Sequence, residues 1–149
     1  MGVQVTLVRG EVRIPATRHA DALAAVRALD EHDEPKTGGA REVRPDGSVA
    51  GRPHWAFVDG RALRAATSLP EALATFRFVP VLDPDGDLLG VELEGGTRSA
   101  GDEAHLWAAL APFVEPGGEL IWVVEDGSLL RWSFDGDRLT TSVGRMVFE

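Results

Sequence analysis

Apolar and polar positions alternate at the start of the chain. Val3, Val5 and Leu7 face one way and Gln4 and Thr6 the other, which is the period of a half-buried strand. Gly10 marks a bulge or bend, after which Val12 and Ile14 continue the strand pattern to Pro15. The period then changes. Thr17 is placed to cap a helix with Asp21 in its first turn, and Leu23, Val26 and Leu29 form an apolar stripe that fades near Glu31. Between Asp33 and Pro53 the pattern vanishes into Pro35, Gly38-Gly39, Pro45, Asp46-Gly47 and Gly51, mixed with charges. This is a long flexible loop by composition, with room for a short hairpin around Val43 and Val49, and the expected first site of limited proteolysis.

Beyond the loop the elements are short. Trp55–Val58 reads as a strand ending at Asp59-Gly60, Arg61–Ala66 as a helical turn, and Ser68-Leu69-Pro70-Glu71 as a capping box opening a helix with Leu69, Leu73 and Phe76 on its apolar face. Asp85-Gly86 signals a hairpin that sets Leu82 against Leu89, Pro80 against Val91 and Phe78 against Leu93. Val79, Val81 and Glu92 then face the other way, and Pro80 marks an edge strand. Asp102 starts a further helix with a core stripe of Leu106, Trp107, Leu110 and Phe113, stopped by Pro116-Gly117-Gly118. Turns at Asp126-Gly127 and Asp135-Gly136 complete a C-terminal three-stranded meander. The order predicts one α+β domain over residues 1–149, with about three helices packed on one face of a mainly antiparallel sheet.

With two-residue turns at both Asp-Gly pairs, the meander's faces can be assigned. Ile121, Val123, Leu130, Trp132, Phe134, Leu139 and Val143 fall on the core side. Leu120, Trp122, Val124, Leu129, Arg131, Arg138 and Thr140 fall on the outer side. Trp122 then lies opposite Arg131, and the outward Leu120, Trp122, Leu129 and Arg131 have the composition of a contact surface.

Charge sharpens this expectation. Fourteen of the fifteen basic residues are Arg, and the net charge is −9. Residues 1–66 carry ten bases against nine carboxylates, whereas residues 67–149 carry five against fifteen. Between Asp83 and Asp126 eleven carboxylates meet only Arg98. That is the reverse of the basic stripe nucleic acid requires. It fits a basic protein partner, steered by Asp85, Asp87, Glu92 and Glu94 and anchored by Trp122. No apolar run reaches the length of a membrane span and the first residues lack a signal peptide's pattern, so a cytoplasmic protein without membrane contact is expected.

Chemistry-bearing patterns are sparse. The chain has no Cys and no Tyr, and no HExxH, GxSxG or phosphate-binding glycine loop. His19 with Asp21, and His105 near Glu103, lack further ligands at metal-binding spacing, and His32 and His54 flank the loop. Asp83, Asp85 and Asp87, with Glu94 in twelfth place, imitate a calcium loop, but Leu88 occupies the sixth position where glycine is required. The expectation is therefore no catalytic residues, no metal and no cofactor.

Gly10-Glu11-Val12-Arg13-Ile14 after a short strand resembles the opening of small uncharacterised actinobacterial and phage-associated α+β proteins. The run Glu125–Gly136, with its Arg131-Trp132-Ser133-Phe134, is similar to a C-terminal hairpin of the same group. The resemblance implies no activity and no catalytic residues. The reading that follows is a non-catalytic protein-binding module, immunity-like or inhibitor-like, docking to a basic partner of unspecified identity. The alternative is a small-ligand binder or enzyme with a pocket between the long loop and the sheet.

Overall fold

The computed structural model describes residues 3–32, 34–36, 42–50, 55, 56, 58–99 and 101–148. The first strand, β1 (Gln4–Glu11), carries the predicted alternation, and a bulge between Leu7 and Arg9 falls just before Gly10. The chain then passes through buried Val12 and Ile14 into a 3-10 turn and helix α1 (His19–Ala28), which ends in a second 3-10 turn at Leu29–Glu31. Thr17 does not cap this helix. Asp87 holds its approach from across the fold instead, accepting the Ala16 N–H at 2.7 Å.

Within the glycine- and proline-rich stretch, β2 (Glu42–Val43) and β3 (Val49–Ala50) form the expected hairpin, with Val43 opposite Val49. Residues 33, 37–41 and 51–54 of that stretch lie outside the described residues, as does Phe57. The expected strand at Trp55–Val58 is absent among the described residues there. Trp55 turns into the core, its ring edge-on to Phe76 at 6.2 Å.

Helix α2 (Gly60–Ala65) is capped by the Asp59 carboxylate, which accepts the N–H groups of Arg61 and Ala62. In helix α3 (Leu69–Thr75) the Ser68 hydroxyl accepts the Glu71 N–H, while Glu71 reaches back to the Thr67 N–H at 2.7 Å. This is a capping box extended by one residue. Strands β4 (Phe78–Leu82) and β5 (Leu88–Leu93) pair with Phe78 opposite Leu93 and Pro80 opposite Val91, as the alternation predicts. A bulge between Val81 and Leu82 then sets Leu82 against Leu88 rather than Leu89. Strand β6 (Thr97–Ser99), which has no apolar alternation to announce it, pairs with β1.

Helix α4 (Glu103–Leu110) follows, then β7 (Glu119–Val124), β8 (Ser128–Phe134) and β9 (Leu139–Arg145). Together β6, β1, β7, β8 and β9 make an antiparallel five-stranded sheet in that order. The fold is α+β, with the C-terminal meander in place. Edge-on ring contacts link Trp132 to Trp122, Trp122 to Phe78, Phe78 to Trp107 and Trp107 to Phe134, joining sheet, hairpin and α4 in one core.

The meander's face assignment is corrected by one residue of turn. Observed pairs are Trp122 with Leu130, Ile121 with Arg131 and Leu120 with Trp132, so the loop contains Glu125-Asp126-Gly127 rather than two residues. Gly127 takes the left-handed conformation (φ 88°) that closes such a three-residue loop. A one-residue slip exchanges the two faces of a strand. Leu120 and Trp122 therefore point into the core, at 0% and 1% exposure, while Ile121 and Val123 join Leu129 and Arg131 outside. The second turn spans four residues, which preserves parity, so Leu139 packs against the core as expected. Val143 shares that side but lies past the core and is 77% exposed.

The β4–β5 hairpin is not in register with the large sheet. It crosses β1 where two glycines meet. A Cβ on Gly90 would stand 2.3 Å from the Gly10 carbonyl oxygen, and one on Gly10 would stand 2.3 Å from that of Val91. Close backbone approach is what these glycines supply. Beyond the crossing, Ile14 and Leu88 exchange both backbone hydrogen bonds.

Candidate functional site

Beside the crossing of β5 over β1, with Ile14 pairing Leu88 just beyond it, lies a groove of about 500 Å³. Val8, Val81 and Leu89 line it together with Arg9, Glu11 and Glu92. Two irregularities create the apolar part. The bulge of β1 leaves Val8 exposed, and a bulge in β5 leaves Leu89 as its extra residue, without the expected partner Leu82. Val79, Val81, Leu82 and Leu89 are all exposed; Val79 and Val81 share one face of the two-stranded sheet, and Leu82, next along β4, alternates to the other at its end. Around it stand the exposed carboxylates of Asp85, Glu92 and Glu94.

The eight sequence-predicted contact residues therefore separate. Trp122 and Leu120 belong to the core, because the longer turn reverses their face. Leu129 and Arg131 do lie on the outer face of the sheet, beside a cleft of about 250 Å³ that also includes Ile121 and Ser142. Asp85, Glu92 and Glu94 surround the hairpin. Asp87 is engaged internally, by the Ala16 N–H and by Arg13 at 3.3 Å. Of the eleven carboxylates between Asp83 and Asp126, Asp102 and Glu103 are buried and contribute little to any surface field. Val8, Val81 and Leu89 were the residues to find. The available signal was an apolar side chain on the solvent side of a strand marked as an edge by Pro80.

The calcium-like loop is a backbone turn: Asp83 accepts the N–H groups of Asp85 and Asp87, both at 2.9 Å. Among the described residues no three His, Asp or Glu side chains converge as metal ligands. His19 Nε2 bonds the Ile14 carbonyl, His105 packs beside Trp55, and His32 is exposed. His54 lies outside the described residues. No helix among the described residues is long and apolar enough to cross a membrane.

A second polar centre surrounds Asp30. Trp55 Nε1 donates to its carboxylate at 3.0 Å and Arg64 at 2.6 Å, while the Lys36 ammonium lies 3.5 Å from it and donates to its backbone carbonyl. A cleft of about 400 Å³ opens here, lined by Lys36, Trp55, Asp59, Arg61 and Arg64. It lies between the loop and α2, not between the loop and the sheet. Burial pushes the Asp30 carboxyl up, but hydrogen bonds from Arg64 and Trp55 and the charges of Lys36 and Arg64 outweigh it. They hold the group below its ordinary 3.8.

The ionised Asp30 thus stabilises the fold fully above pH 3.8, and that contribution is lost as pH falls through the lower folded-state value. Asp30→Asn is expected to cost about 1.5–3 kcal/mol at neutral pH, the range for hydrogen bonds to charged groups. It should also flatten the decline of stability in acid. Urea denaturation across an acid-to-neutral pH series measures both.

Compared with protein-family models, with curated proteins and with solved structures, the chain gives no match. Residues 10–14 make the crossing with β5, and residues 125–136 contain the first meander turn, β8 and the start of the second turn.

Proposed function

We propose that this chain is a non-catalytic protein-binding module, of the immunity or inhibitor kind, which docks a basic partner protein through the outward face of the β4–β5 hairpin and the groove beside it. One observation carries the reading: exposed Val81 and Leu89 line the groove together with exposed Val8, and exposed Val79 shares the face of Val81. Clustered aliphatic exposure on a soluble-type domain marks an interaction site more often than a bare surface. The carboxylates of Asp85, Glu92 and Glu94 at its border select the sign of the partner's charge. Trp122 has no part in contact, since it lies in the core.

Division of labour between charge and apolar area makes the reading testable. Once a partner is captured and purified, Glu92→Gln/Glu94→Gln should slow its association about tenfold at low salt and flatten the salt dependence, leaving dissociation nearly unchanged. Stopped-flow mixing at low and high ionic strength reads this. An acidic partner, or an association rate indifferent to salt, would sink the proposal.

A further inference from the structure

The far side of the sheet carries a different feature. Among the described strands β9 pairs only with β8, so alternate residues along its other edge present unpaired main-chain donors and acceptors. Natural edges are commonly guarded by Pro, Lys, a bulge or a covering segment. Leu139–Arg145 contains neither Pro nor Lys, pairs with β8 in unbroken register, and is exposed from Thr140 onward. Val143, on the helix-bearing side, is 77% exposed, and Phe148 just beyond the strand is 91% exposed.

We infer that β9 is a self-association edge whose occupant is β9 of a second copy, giving a two-fold dimer with one continuous ten-stranded sheet. Charge favours a second copy. Residues 138–148 contain Arg138 and Arg145 but no carboxylate, in a chain of net charge −9, so two copies meeting along this edge bring no carboxylates of the strand together. The strand is also self-complementary. Antiparallel pairing centred on Ser142 sets Val143 opposite the second copy's Thr141 and Arg145 opposite its Leu139, keeping like charges apart. The same pairing brings Leu139 and Val143 of the second copy diagonally beside Val143 on its own face, beyond the part of that face that the core covers. This surface lies three strands from the β1 groove, about 14 Å by strand spacing, and stands independently of the proposed docking function.

Sedimentation equilibrium of the full chain, from micromolar to sub-millimolar concentration, tests the inference. The mass should rise toward twice 16.0 kDa, and added salt should strengthen association by screening the net charge. Thr141→Lys/Val143→Lys, at two exposed positions, should weaken the dimer at least tenfold without altering the near-ultraviolet circular dichroism of the buried tryptophans. Amide hydrogen exchange gives a readout free of any variant: β9 amides should gain protection with concentration while β4 amides do not. A chain monomeric throughout, a dimer indifferent to the lysine pair, or protection that does not rise at β9 would each overturn the inference.

Discussion

Trp122→Ala is expected to destabilise the fold by about 3–5 kcal/mol, the range for truncating a buried aromatic residue. That is a large share of the roughly 5–15 kcal/mol that holds a domain together. Trp122 is 1% exposed and touches both Phe78 and Trp132 edge-on, so its loss removes one of the contacts that join the large sheet to the β4–β5 hairpin. Urea denaturation should show the midpoint fall with little change in slope. A loss under about 1 kcal/mol would place Trp122 outside the core and restore the two-residue turn, because surface substitutions cost that little.

The second large effect is expected at the strand crossing. Gly90→Ala puts a methyl group 2.3 Å from the Gly10 carbonyl oxygen, and the obstacle is backbone on both sides. The hairpin must move away from β1, at a cost of about 3 kcal/mol or more, the upper range for overpacking. Gly47→Ala provides the comparison: a Cβ there meets no atom within 4 Å, although its φ of 84° makes the residue strained for its own reason. Thermal unfolding should rank Gly90→Ala as the more damaging of the two. Equal losses would mean that the crossing yields at little cost and that close approach is not what Gly90 supplies.

How far these features were legible in the sequence depends on the range of the interaction. Local patterns transmitted well: the Ser68–Glu71 cap and the α1 stripe around Val26 rest on neighbours a few residues apart, and the pairing of Phe78 with Leu93 on a single hairpin turn between adjacent strands. Register did not transmit, because Asp126-Gly127 serves a two-residue and a three-residue loop equally, and one residue reverses a strand. That ambiguity put Trp122 outside and Ile121 inside. The Asp30 centre was invisible for another reason. Its partners Trp55 and Arg64 are 25 and 34 residues away, and no spacing rule connects them. The candidate groove depends on a glycine crossing between residues eighty positions apart, so only its border of acidic residues could be read in advance.

Capture of a partner by face-specific variants tests the central claim most directly. Val81→Asp/Leu89→Asp alters only the exposed hairpin surface, whereas Leu129→Ser/Arg131→Ala alters the outer face of the meander. Both pairs should retain the thermal stability of the parent chain. With a purified partner on a biosensor surface, the hairpin pair should speed dissociation about a hundredfold, while the meander pair binds like the parent. Retained binding by the hairpin pair, with loss by the meander pair, would contradict the account and move the docking surface to the other sheet.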